Sequence, residues 1–335
     1  MVDMTPTNSF IRTLTQTPKL ATELSQNFTR LKNTNDEVIK YLGYPQIISD
    51  DLNKLYKALS LTKDLLTIVS VVPEVGQAAS AYKTLVNTMM LEIKPAKDAA
   101  ARLAKTVKPL HDNLQKLDPI LDKGIAAANE VAKISGAFLT HFTEIASCIN
   151  SLPEGSVKET GQNYLNTFSS KTEPGTVKLN KAMSDTNSVI NTLYNELAKI
   201  KAALNPLPAI LNAINDVFKV LNPLMDILKE VEHALKTIEI MIPLPYPHMV
   251  SLYDIFNTLG EFLDLAMKPI EGLINDLLNA LHIKLPSIPG LSDLINIHIN
   301  LPSIPNFDAL IAEILNVLKQ FEIDIKLFDL SCPPK

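Results

Sequence analysis

The stretch LNKAMSDTNSVINTLYNELAKIKAAL, residues 179–204, decides the fold class of this chain. Apolar or small residues recur in it at alternating steps of four and three, which is the heptad repeat of helices that pack along a seam. The repeat continues past Asn205-Pro206 and predicts one long helix in a coiled coil or bundle. Its positions are Leu179, Met183, Thr186, Ile190, Leu193, Leu197, Ile200, Leu204, Leu207, Leu211, Ile214, Phe218, Leu221, Met225, Leu228 and Leu235.

A second heptad run precedes this stretch, and a polar segment separates the two runs. Residues 151–177 are rich in Ser, Thr, Gly, Pro and charge, so we expect a distal loop there. Two long seams joined by one polar loop predict an antiparallel helical hairpin. The fold class is therefore mainly α, an elongated antiparallel bundle or coiled coil. The second run comprises Leu103, Val107, Leu110, Leu114, Leu117, Leu121, Ala128, Val131, Ser135, Phe138, Phe142 and Ile145.

Prolines punctuate both runs. The chain has 22 prolines but only 10 glycines, and a proline inside a helix removes one hydrogen bond and clashes with the preceding turn. We therefore expect breaks or kinks in the long helices. The sites are Lys94-Pro95, Lys108-Pro109, Asp118-Pro119, Asn205-Pro206, Asn222-Pro223 and Lys268-Pro269.

The N-terminal part, residues 1–46, is predicted to form short helices within 17–42, ahead of a main bundle over 47–240. Residues 47–72 become steadily more apolar before a turn at 73–76, and a helix then follows. This apolar hairpin is either a buried end of the bundle or a concealed membrane-inserting element. The candidate inserting residues are Leu65, Leu66, Ile68, Val69, Val71, Val72, Pro73 and Gly76.

The C-terminal part, residues 241–335, contains helical patterns and short phrases that alternate like strands. The four phrases are IEIMI (238–242), HIKL (282–285), HINL (298–301) and EIDIKL (322–327), and proline follows the first three. Proline confines such a strand to an edge or an end, so a small β-element and an extended wrapping segment both stay open. The candidate assembly residues are Ile283, Leu285, Ile288, Ile299, Leu301 and Ile304.

We find no motif for catalysis, for a cofactor or for a metal, and we expect no enzyme. The single Glu-x-x-His at Glu230–His233 lacks the second copy that a di-iron bundle requires. His282 and His298 share a phrase position but lack obvious further ligands. Cys148 and Cys332 could form one disulfide, although we expect two separate thiols. A cysteine-based zinc site is excluded, because two cysteines are too few.

Charge and hydropathy limit the classes of partner that we expect for this chain. The formal net charge is −5 with both signs interspersed, so we expect no nucleic acid, and no small-molecule substrate is identified. No stretch has the roughly 18–20 uncharged apolar residues of a membrane-spanning helix. The polar N-terminus MVDMTPTNSF shows no signal peptide. We expect a soluble chain, and release to the extracellular space stays open.

Three functional hypotheses follow from this organisation. In architecture, the chain resembles the soluble form of α-helical pore-forming toxins, with an apolar hairpin hidden against a rod, and membrane lipid would then be the partner. The alternative is a structural or self-assembling coiled-coil protein, a filament or matrix former, because alternating phrases at a sheet edge can template pairing. A third hypothesis is a carrier with an apolar cavity.

Overall fold

The chain is mainly α. A computed structural model describes residues 2–70, 76–219, 221–223, 226, 272–273, 275–277, 306–328 and 330–332. About 94% of the structure is helical, and the described residues contain no strand. The principal helices are α1 (Thr5–Val69), α2 (Gly76–Ser151), α3 (Ser156–Leu204) and α4 (Phe307–Lys326).

Helix α1 is a single helix of 65 residues. The prediction of separate short helices in the N-terminal part is therefore wrong. One buried seam at heptad spacing runs along the helix and holds its two halves in register, so residues 43–46 continue the helix. The seam comprises Thr7, Phe10, Leu14, Thr17, Ala21, Leu24, Phe28, Leu31, Asn35, Val38, Leu42, Ile48, Leu52, Leu55, Leu59, Thr62 and Leu66.

Helix α2 contains the predicted second heptad run and is uninterrupted over 76 residues. The expected helix breaks at Pro95, Pro109 and Pro119 do not occur. All three prolines lie on the exposed face of α2, where water can bind the carbonyl oxygens that lose their helical partners. Packing of the opposite, buried face then keeps the helix continuous.

Helix α3 begins within the segment that is predicted above to be a loop. The connection from α2 is only residues 152–155, and residues 156–177 are helical, so the prediction of a loop over 151–177 is wrong for most of its length. The expected break at Pro206 is confirmed, because α3 ends at Leu204 and helix resumes at residue 207. Beyond this break the buried positions are Leu207, Ile210, Ile214, Val217 and Leu221. Leu207, Ile214 and Leu221 are buried as the heptad count predicts, but Ile210 and Val217 are buried in place of Leu211 and Phe218, so the order of three- and four-residue steps reverses after the break.

The chain divides into two compact units, each built from segments that are distant in sequence. Unit 1 contains Met1–Val38, Asn113–Ile200 and Leu301–Lys335, and unit 2 contains Ile39–Asp112 and Lys201–Asn300. The division into three sequential parts stays a prediction.

In unit 1, α1 and α2 run antiparallel. Near the start of α1 the ring centroid of Phe10 lies 5.1 Å from that of Phe142. Further along, Phe28 faces Gly124, where a Cβ atom would lie 2.6 Å from the Phe28 ring. Glycine at this position therefore makes room for an aromatic ring between the two helices.

Helix α4 completes unit 1 and runs parallel to α2. Asp308 pairs with Lys123 at 3.7 Å, and Phe321 lies edge-on to Phe138 with centroids 5.7 Å apart. The side chain of Asn306 caps the helix by accepting from the amide of Ala309.

The strand-like phrase EIDIKL proves to be the end of α4, which continues to Lys326. The prediction of an extended segment at 322–327 is wrong. The buried face of α4 has helical spacing and reaches Phe321, directly before the phrase, so packing decides the conformation. The buried residues are Phe307, Ile311, Ile314, Leu318 and Phe321. The other three alternating phrases lie outside the described residues.

In unit 2, the later part of α1 and the earlier part of α2 also run antiparallel. The Lys63 ammonium donates to the side-chain oxygen of Asn87 at 2.9 Å, and the Lys97 ammonium lies 4.8 Å from the ring centroid of Tyr56. From the first contact to the second, the residue number falls from 63 to 56 in α1 and rises from 87 to 97 in α2. The two helices are therefore antiparallel.

Candidate functional site

The candidate membrane-inserting hairpin lies in unit 2, where α1 ends and α2 begins. Leu65 and Leu66 are buried, whereas Ile68 is exposed over 44% of its surface. Val69 is the last residue of α1. On the α2 side, the buried residues are Ala79, Val86, Met89 and Met90. Among the described residues of the hairpin, the structure therefore packs these six apolar side chains inward and leaves Ile68 and Leu91 exposed to solvent.

Gly76 begins α2 at a close approach between the two helices of the hairpin. A Cβ atom at this position would collide with the carbonyl oxygen of Ser70. The backbone can pass this closely because glycine has no side chain. The remaining candidate residues of the hairpin, Val71, Val72 and Pro73, lie outside the described residues.

The candidate assembly residues also lie outside the described part of the chain. They are Ile283, Leu285, Ile288, Ile299, Leu301 and Ile304.

An aromatic cluster in unit 1 is a feature that the sequence did not reveal. The ring of Phe168 in α3 lies 4.7 Å from that of Phe328, which follows α4. Phe142 of α2 contacts both rings, at 5.9 and 5.4 Å. The cluster joins α1, α2, α3 and α4 through aromatic pairs. Each pair stabilises the fold beyond the contribution of buried apolar area alone. Its members are Phe10, Phe138, Phe142, Tyr164, Phe168, Phe321 and Phe328.

Cys148 and Cys332 form a disulfide beside this cluster, so the expectation of two separate thiols is wrong. Their Cα atoms are 6.2 Å apart, and the bridge joins residues separated by 184 positions. Both cysteines are half-buried. The pairing depends on how α4 packs along α2, and spacing in the sequence carries no sign of that packing.

A polar seam joins α1 to α3 in unit 1. The hydroxyl of Thr7 donates to Asn166 at 2.7 Å, and the side-chain amide of Asn180 donates to the carbonyl oxygen of Thr13 at 3.0 Å. The buried polar residues of α3 are Gln162, Ser169, Thr172, Thr176, Asn180, Thr186 and Asn187. Buried polar pairs of this kind specify register more than they add stability.

A group of carboxylates lies between α1 and α2 in unit 1. Burial raises the pKa of Asp36, and the charge of Asp118 and a hydrogen bond to it act in the same direction. Lys32 partly opposes this shift. The Lys32 ammonium itself binds Asp122 and lies 3.9 Å from Asp118, and its hydrogen bond to Asp122 raises the pKa of Lys32. The protonation of Asp36 is therefore coupled to the charges of Asp118 and Lys32.

The described histidines also lack the surroundings of a reactive or metal-binding group. His111 lies 3.4 Å from Asp112, and the ring of His141 lies edge-on to Phe328. No group of three or more His, Cys, Asp or Glu side chains is arranged to hold a metal ion among the described residues. His282 and His298 lie outside them.

The third hypothesis is a carrier, which requires an apolar cavity, and the described part of unit 2 contains a groove that can be compared with one. The groove has a volume of about 580 Å³ and opens widely to solvent. Both charged and apolar side chains line it, which is unlike the enclosed apolar cavity of a lipid or cofactor carrier. The lining residues are Asp51, Lys54, Lys57, Ala58, Leu61, Phe218 and Asn222.

In the described part of the chain, no helix has both the length and the hydrophobicity to cross a membrane. The sequence matches no protein-family model, and it has no significant match among curated proteins or solved structures.

Two features of these sites could have been found in the sequence. The α1 seam has heptad spacing, but polar residues at Thr7, Thr17 and Asn35 hide it from a search for apolar residues. Gly124 fits the heptad phase of α2, although a glycine within a heptad run looks like an interruption. The aromatic cluster, in contrast, requires contacts between helices that only the folded chain reveals.

Proposed function

We propose that this chain is a non-enzymatic helical protein that acts on membranes, in the manner of the soluble form of an α-helical pore-forming toxin. The observation that carries the proposal is the α1–α2 hairpin. It holds Leu65, Leu66 and the buried apolar residues of early α2 inward, and Gly76 begins α2 where a Cβ atom would collide with the carbonyl oxygen of Ser70. Such a hairpin can expose a continuous apolar surface if its two helices leave the rest of unit 2. Membrane lipid is the proposed partner.

The disulfide supports a place of action outside the reducing cytosol. Structural disulfides persist in oxidising compartments and are uncommon where thiols are kept reduced. Both cysteines of this chain are in the Cys148–Cys332 bridge. We therefore propose release to an oxidising environment. An elongated antiparallel coiled-coil bundle, supported by the heptad seams, stays part of the proposal.

Dye release from liposomes tests the proposed activity, and an Ile68→Asp variant tests the hairpin. Because Ile68 is 44% exposed, an aspartate there should lower the free energy of unfolding by only about 1 kcal/mol. In a bilayer, the same carboxylate costs about 2.5–3.5 kcal/mol on insertion scales. We expect Ile68→Asp to fold normally and to lose most of the leakage.

The matched control is Ile47→Asp. Ile47 lies in the same helix, is also 44% exposed, and is outside the proposed inserting hairpin, so this variant should retain leakage. Full leakage by a folded Ile68→Asp variant would reject the hairpin as the inserting element. Intact liposomes with the wild-type chain would reject membrane activity, and concentration-dependent light scattering without leakage would favour the self-assembling alternative.

A further inference from the structure

We propose that the Cys148–Cys332 disulfide is a redox-controlled lock that holds the end of α4 on the aromatic cluster, and that a dithiol reductant is its chemical partner. The proposal does not depend on membrane activity, because it concerns the packing of α4 in unit 1. Three observations carry it: the contacts that follow α4, the position of the bridge beyond them, and the partial exposure of both cysteine residues.

The segment that follows α4 places the ring of Phe328 in the aromatic cluster. Phe328 lies within 6 Å of the rings of Phe138, Phe142 and Phe168, at 5.7, 5.4 and 4.7 Å between centroids. The hydroxyl of Tyr164 donates to the carbonyl oxygen of Leu327 at 3.4 Å. This short segment therefore covers one side of the cluster, and its displacement would expose aromatic surface.

The bridge lies just beyond these contacts and fastens them covalently. Cys332 is four positions after Phe328 in the chain, and it joins the last turn of α2 through Cys148. At its other end, α4 is anchored by packing, where the ring of Phe307 lies 6.0 Å from that of Phe28. Reduction would thus remove the covalent attachment of the C-terminal end of α4 to α2.

Both cysteines are half-buried rather than enclosed, and the proposal requires that a small thiolate reaches the bridge. The thiolate of a dithiol attacks one sulfur of the bridge, which breaks the bond between Cys148 and Cys332, releases one cysteine thiolate and leaves a mixed disulfide on the other cysteine. The second thiol of the same molecule then attacks the reductant's sulfur in that mixed disulfide and releases the other cysteine thiolate. The reductant becomes a cyclic disulfide, and the protein bridge becomes two thiols. Two electrons and two protons pass from the dithiol to Cys148 and Cys332.

Hydrogen–deuterium exchange on the full-length chain tests the lock, with dithiothreitol as the reductant. After reduction we expect amides of α4, residues 307–326, to exchange roughly a hundredfold faster, the order by which a tether raises local association. Binding of an apolar dye should increase, far-ultraviolet circular dichroism should stay unchanged, and reoxidation should reverse all effects. Unchanged exchange in α4, with two free thiols measured per chain, would overturn the proposal.

Cysteine variants distinguish the loss of the disulfide from other effects that the reductant has on the chain. Cys332→Ser should show the fast exchange of α4 without reductant and should not respond to it, and Cys148→Ser should behave alike. A Cys332→Ser chain whose α4 exchanges as slowly as in the oxidised wild type would contradict the lock. If neither variant folds, reduction of the folded wild-type chain decides the question.

Discussion

At the scale of single residues, Gly124 shows how one position sets the packing between two helices. A Cβ atom there would lie 2.6 Å from the ring of Phe28, which also contacts Phe307. Gly124→Ala must displace this ring, at a cost of about 1–3 kcal/mol for overpacking, against a gain of about 1 kcal/mol in helix propensity. We expect a net loss of about 1 kcal/mol in the free energy of unfolding, measured in urea.

Gly175→Ala is the matched control for this prediction. Gly175 lies inside α3, and a Cβ atom added there would have no atom within 4 Å, so the substitution should stabilise the chain by up to about 1 kcal/mol. If both alanine variants are equally stabilised, the close contact between Gly124 and Phe28 is absent in solution.

The raised pKa of Asp36 leads to a second prediction at the scale of single residues, which concerns how folding stability depends on pH. Burial and the neighbouring Asp118 raise the pKa of Asp36 above its usual value of 3.8. The folded chain therefore binds this proton more tightly than the unfolded chain, and the stabilisation present below pH 3.8 is lost as the pH rises through the folded-state pKa. Asp36→Asn should be more stable than wild type at neutral pH, and the difference should shrink in acid.

Asp112→Asn serves as the comparison, because it should change the pH dependence of folding stability in the opposite direction to Asp36→Asn. Hydrogen bonds from Lys108 and then from His111 lower the pKa of Asp112, so its contribution is present at neutral pH and lost as the pH falls through that lowered value. Denaturant titrations of both variants and wild type, from acidic to neutral pH, provide the measurement. Parallel pH profiles for Asp36→Asn and wild type would contradict the assignment.

At the scale of elements, the helices with apolar seams could be predicted from the sequence, and those with polar seams could not. The seams around Leu114 and Leu193 are recognisable because leucine recurs at heptad spacing. The first half of α3 has the composition of a loop because it buries Thr172 and Thr176 on its packed face. Polar composition indicates a loop only when the folded chain does not satisfy the polar groups. Here the Thr176 hydroxyl donates to the carbonyl oxygen of Thr172 within α3, and the hydroxyls of Ser9 and Thr13 in α1 donate to Glu173.

The proline in the first half of α3 leads to a prediction at the scale of elements. Pro174 is exposed and lies inside the helix, where it removes one backbone hydrogen bond. Pro174→Ala should restore that bond and stabilise the chain by up to about 3 kcal/mol, measured by chemical denaturation. Pro153→Ala, in the connection between α2 and α3, should instead be destabilising by about 0.4–1 kcal/mol, because proline limits the unfolded chain. A loss of stability at both positions would mean that the backbone around Pro174 is not helical.

At the scale of the whole molecule, the candidate site was only partly predictable. The sequence identified the apolar hairpin, because a run of consecutive apolar residues around a turn is a local signal. It could not identify the pairing of Cys148 with Cys332, because their 184-residue separation is closed only when α4 packs along α2. Closure of a loop of this length restricts the unfolded chain, and the chain-entropy estimate of its stabilisation is about 5 kcal/mol.

This closure gives a prediction for the oxidised chain as a whole. Oxidation in dilute solution should produce covalent monomers, because the two Cα atoms are 6.2 Å apart within one folded chain. On a non-reducing denaturing gel, the oxidised chain should run faster than the reduced chain, since the closed loop keeps it compact. Cys332→Ser, which retains only Cys148, should show no such shift. A ladder of covalent multimers would contradict the intrachain bridge, and it would favour the self-assembling alternative, since two cysteines on each chain can link many copies.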